Sequence, residues 1–141
     1  MQKRLFIFSA VVLVFFVSSL LADAVIREFR AEPGVNRVRL YWKVTLESNV
    51  KGYRVQRGFD PTHLSTLAFV NATEDPVDPT QGKLYQYVDQ TVFKGDGRSF
   101  YYQIVVVDLQ NHEVTRTYVR EVSPKISAVR HTWGSIKAMF R

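Results

Sequence analysis

Cysteine is absent from the 141 residues. Its absence excludes a disulfide framework, a thiolate zinc site, a cysteine nucleophile and a lipid-modified cysteine. Histidine is scarce: His63, His112 and His131 stand far apart, none with a metal-ligating partner two to four residues on. Nor does any lie beside a Ser or Asp motif of nucleophile type. Gly95-Asp96-Gly97 lacks the Lys-Ser/Thr and helix of a phosphate loop and reads as a turn. Glu74, Asp75 and Asp78 are interrupted by Pro76 and Pro79 and lack EF-hand spacing, so they read as a solvated acidic loop. The expectation is a chain with no metal, no cofactor, no catalytic residues and no evident small-molecule substrate.

What is present begins with an address. Lys3 and Arg4 precede an apolar run from Leu5 to Ala22, and Ala22-Asp23-Ala24 has the small residues of a signal-peptidase site. Residues 1–24 therefore read as a cleaved signal helix, leaving Val25 first. The alternative is an uncleaved anchor, because residues 5–22 would span about 27 Å as a helix. Either reading exports the remainder to the periplasm, the cell surface or the medium. An exported domain without cysteine must hold together by its core alone.

From Val25 to Val122 the sequence alternates with period two. Val38, Leu40, Trp42, Val44 and Leu46 face one way, and Arg37, Arg39, Tyr41, Lys43 and Thr45 the other. Expected strands are 25–31, 36–46, 51–57, 65–70, 84–89, 99–108 and 113–122. Turn signals lie at Glu32-Pro33-Gly34, Gly58 to Pro61 and Lys94 to Gly97, and a long loop at 71–83. The expected fold is all-β, a seven-stranded antiparallel sandwich with Leu40, Trp42, Tyr53, Val55, Tyr102 and Ile104 in its core.

Leu40-x-Trp42, Gly52-Tyr53-x-Val55-x-Arg57, Tyr87-x-Asp89, Phe100-Tyr101-Tyr102-Gln103-Ile104 and Val106-Val107-Asp108 follow in order. With these motifs, residues 25–123 resemble a fibronectin type III domain. The resemblance implies a Trp plugging the space between the sheets. It also implies a tyrosine near the start of the sixth strand whose hydroxyl ties down a corner; here Phe100 aligns with that position, and Tyr102 follows two residues later. It further implies adhesion, scaffolding or spacing, and a chain that is not an enzyme.

After Ser123-Pro124 the alternation stops. Ile126, Val129, Trp133, Ile136 and Phe140 fall at steps of three and four, one stripe of a short amphipathic helix. Lys125, Arg130, Lys137 and Arg141 make this tail, residues 124–141, basic, and no acid follows Glu121. The stripe suits three surfaces: its own sandwich, where Tyr101, Val105 and Val107 make a second apolar face, a partner protein, or an anionic membrane. The net charge of +6 is therefore uneven. Residues 25–123 carry 13 basic and 12 acidic side chains, which argues against nucleic acid as the partner. The expected role is an exported interaction or structural module of the cell envelope that binds a protein. The alternative is an accessory factor tethered at the bilayer by residues 5–22 and the basic tail.

Overall fold

The computed structural model describes residues 21–92 and 98–125, together with Lys137 and Met139. The expected signal segment up to residue 20 and the turn expected at Lys94 to Gly97 lie outside the described residues, as do the tail residues Ile126, Val129, Arg130, Trp133, Ile136, Phe140 and Arg141.

The described chain is antiparallel β-structure in two sheets. Its strands are β1 (Asp23–Gly34), β2 (Arg37–Ser48), β3 (Val50–Asp60), β4 (His63–Asn71), β5 (Lys83–Asp89), β6 (Phe100–Asp108), β7 (Glu113–Arg116) and β8 (Arg120–Val122). One sheet has the order β1-β2-β5, and the other β4-β3-β6-β7, with β8 also pairing β6. Asn36, Asn49 and Asn111 sit at φ of 55°, 54° and 69° in the connections, where asparagine tolerates the left-handed region better than most residues.

Among the described residues eight strands stand where seven were expected, because residues 113–122 form two. Thr117 explains the break. The Ile104 N–H donates to the Thr117 hydroxyl instead of a main-chain carbonyl, and the Thr117 carbonyl accepts from Gln103 Nε2. The Thr117 N–H makes a last main-chain bond to the Ile104 carbonyl, after which the ladder to β6 stops until Arg120. At the other end, β1 begins at Asp23 rather than Val25, pairing Asp23 with Ser48 and Ala24 with Glu47.

Alternation along β2 puts Val38, Leu40, Trp42 and Val44 into the space between the sheets, where all are fully buried. Tyr53, Val55, Tyr102 and Ile104 meet them from the second sheet, also fully buried. Leu46, expected on the same inner face, is instead 44% exposed. It pairs with exposed Val25 beside a bulge at Thr45 of β2, where the register slips and the inward alternation ends. At the centre, Trp42 stacks on Tyr85 at 5.7 Å and meets Tyr53 edge-on at 5.5 Å, so three rings span both sheets.

Two buried carboxylates join the sheets at opposite ends of β5. Glu47 accepts hydrogen bonds from the Tyr53 and Tyr85 hydroxyls and from Lys83 Nζ, 3.1 Å away. Lys83 also donates to the carbonyls of Thr73 and Asp75, which anchors the loop at 72–82. At the far end Asp89 accepts from Arg57 Nη1 at 2.6 Å, from the Tyr102 hydroxyl at 2.9 Å, and from the main chain and hydroxyl of Thr91.

Candidate functional site

The sites to which sequence drew attention fall into separate regions. His63 and His112 lie exposed at strand connections. His63 Nδ1 lies beside the Thr62 hydroxyl and Asp60, and His112 Nδ1 lies 3.4 Å from Asp108. Among the described residues no group of three or more His, Cys, Asp or Glu could hold a metal ion. Of the tail, Lys137 and Met139 are helical and exposed. Lys125 is exposed, and its main chain is tied down: its N–H donates to the Gly34 carbonyl and its carbonyl accepts from the Asn36 N–H. The tail therefore starts beside the β1–β2 turn. Val105 and Val107, on the second face of β6, are buried, and in register they sit beside Arg54, Gly52, Arg116 and Glu113.

A groove of about 270 Å³ opens on the outer face of the three-stranded sheet, lined by Glu28, Arg30, Glu32, Tyr41, Lys43 and Leu84. Register explains its lining. Glu28 lies opposite Lys43, which lies opposite Leu84; Arg30 lies opposite Tyr41, and Glu32 opposite Arg39. Successive outward residues of β1 thus alternate in sign and meet cations or an aromatic ring on β2. Arg30 forms an ion pair with Glu28 on the same strand. Leu84, 62% exposed, gives the groove an apolar rim. The arrangement presents carboxylate acceptors and cationic donors around a phenol ring, suited to binding a polar partner.

In sequence Tyr41 and Lys43 read only as the solvent side of a strand. The available signal was the acid–base–acid alternation of Glu28, Arg30 and Glu32, but without the β1–β2 register nothing places those three beside Tyr41. The buried carboxylates differ in kind, because each is already saturated. Burial alone raises the carboxyl pKa of Asp89, but the hydrogen bonds from Thr91, Arg57 and Tyr102 outweigh it and hold it below the ordinary 3.8. Burial first, then Asp89 itself, pushes the Tyr102 hydroxyl far up, and burial with Glu47 does the same for Tyr53. Both phenols stay protonated donors.

No protein-family model and no curated protein matches the chain. Among solved structures it is similar to the crystal structure of a beta-1,2-glucanase from Parabacteroides distasonis, with a TM-score of 0.52 and 20% identity. The match takes in 74% of this chain and 13% of that one. The expectation that this chain is not an enzyme is corrected by that finding, since the similar fold lies within an enzyme chain. At this identity the likeness is one of fold.

Proposed function

We propose that the chain is an exported interaction module of the cell envelope, a sandwich of fibronectin type III kind that receives a partner on the outer face of β1-β2-β5. The groove carries this reading: opposite charges, Tyr41 and an exposed Leu84 converge on one accessible face. The family assignment is supported by the strand orders β1-β2-β5 and β4-β3-β6-β7, by Trp42 between the sheets, and by the Tyr102 hydroxyl bonded to Asp89. Export rests on Lys3, Arg4, the apolar run and Ala22-Asp23-Ala24.

The test compares the intact chain with Tyr41→Ala and with Glu32→Arg as bait in an extract of the native envelope. The expected result is a partner retained by the intact chain and lost with both variants. Identical capture by all three would place recognition elsewhere. A second reading, in which the partner is a glucan, is favoured by the likeness to part of the glucanase together with the phenol and carboxylates of the groove. Calorimetric titration with β-1,2-linked glucooligosaccharides, read alongside release of reducing ends, decides it. Neither heat nor product sets that reading aside.

A further inference from the structure

Sheet edges expose unpaired main-chain groups, and chains guard them with bulges, proline, exposed charge or brevity. Three edge regions of this sandwich carry such guards. β1 has a bulge at Arg27, Pro33 and five charged side chains from Arg27 to Glu32 and at Asp23. β4 carries a bulge opposite Val55 and Gln56. β7 and β8 are four and three residues long.

β5 is different. It closes the β1-β2-β5 sheet and pairs β2 over seven residues without a register shift. It contains no proline, and its two charged residues are turned inward, Lys83 to Glu47 and Asp89 to Arg57. Its exposed positions are Leu84 and Gln86. Among the described residues no other element donates or accepts a main-chain hydrogen bond on its outer side.

The sequence of this edge is also symmetric in character. Lys83-Leu84-Tyr85-Gln86-Tyr87-Val88-Asp89 laid antiparallel on itself about Gln86 sets Lys83 opposite Asp89 and Leu84 opposite Val88. Tyr85 meets Tyr87, and Gln86 meets Gln86. Lys83 and Asp89 keep their inward partners, so the apolar and aromatic pairs are the ones that stabilise the antiparallel neighbours, and no like charges coincide. Facing residues also share a side of the sheet, because each pair has the same parity.

We infer that β5 is a self-docking edge, joining two copies of this chain across a two-fold axis at Gln86 into one continuous six-stranded sheet. A two-fold interface requires a self-complementary surface, and this strand is one. The occupant is a second copy because an unrelated strand would have no need of the palindrome. The near balance of charge in residues 25–123 leaves two copies little mutual repulsion. Seven residue pairs make a small interface, so the dimer is weak and concentration-dependent.

The experiment is sedimentation equilibrium of the full chain from about 1 µM to about 1 mM, spanning the weak end of protein affinities. The variants are Gln86→Lys and Gln86→Glu, at an exposed position where either side chain is compatible with the folded monomer. The intact chain is expected to shift toward twice its mass. Each variant should self-associate about fivefold more weakly, since like charges then meet on the axis. An equimolar mixture of the two should recover dimer. A monomer at every concentration overturns the inference, as does association indifferent to both substitutions, which would point to the apolar leader. Variants that both weaken and a mixture that does not recover would overturn the axis at Gln86.

Discussion

Asp89 shows how much a single buried group does here. One carboxylate takes donors from β3, from β6 and from the turn after β5, so it fastens one sheet to the other. Its folded pKa lies below the ordinary 3.8, so its contribution is complete above that value and is lost as pH falls through the folded pKa. Acid titration of stability should therefore show a loss beginning below about pH 4 that Asp89→Asn abolishes. At neutral pH the same substitution should cost about 3 kcal/mol, because Arg57 and Tyr102 lose the ion they face. Tyr102→Phe removes one donor to a charged acceptor, and chemical denaturation should place its cost at about 2 kcal/mol. The hydroxyl pattern of Tyr102 was not legible in sequence. Phe100 aligns with the corner position, and only the folded register brings Tyr102 within 2.9 Å of Asp89.

Among the elements, period two was readable wherever one face meets the core and the other water, as along Val38 to Val44. It failed where main-chain geometry departs from a simple strand. The bulge at Thr45 of β2 turns Leu46 outward, and Thr117 splits the last strand by offering a hydroxyl to the ladder. Neither event changes the polarity pattern, so neither leaves a mark in sequence. Gly52 is similar. A Cβ there would lie 2.4 Å from the Val70 carbonyl and 2.8 Å from the Phe69 ring. Gly52→Ala should therefore force β3 and β4 apart and cost about 1–3 kcal/mol, lowering the denaturation midpoint. At the start of β1, a chain beginning at Val25 gives up the pairing of Asp23 and the burial of Ala24. It should be about 1 kcal/mol less stable than one beginning at Asp23. Amino-terminal sequencing of the protein from its native source shows which of these exists, or whether Met1 is retained as in an anchor.

For the whole molecule, the charge of +6 separates into a weakly basic first segment, a nearly neutral sandwich and a basic tail, and the described part of that tail begins with Pro124 and Lys125. Pro124 is buried and Lys125 exchanges two main-chain hydrogen bonds with the β1–β2 turn. A chain ending at Ser123 should melt roughly 4–8 °C below one ending at Lys125, which corresponds to about 1 kcal/mol for a domain of this size. Comparing the chain ending at Lys125 with the full chain then isolates what the amphipathic stripe contributes, since a stripe docked on its own sandwich raises the melting temperature. Were two copies joined at β5, their grooves would lie on one extended sheet face, and a repetitive partner would be held at two points.

The tie between Lys125 and the β1–β2 turn has a mechanical consequence. β1 enters at Asp23 and reaches Gly34 after twelve residues, roughly 40 Å at strand spacing. Lys125 is held beside that far end. Tension applied through the leader and the tail would run along the strands of β1 and β2, loading their hydrogen bonds side by side instead of unzipping them singly. Stretched between two anchorages, the sandwich would behave as a strut.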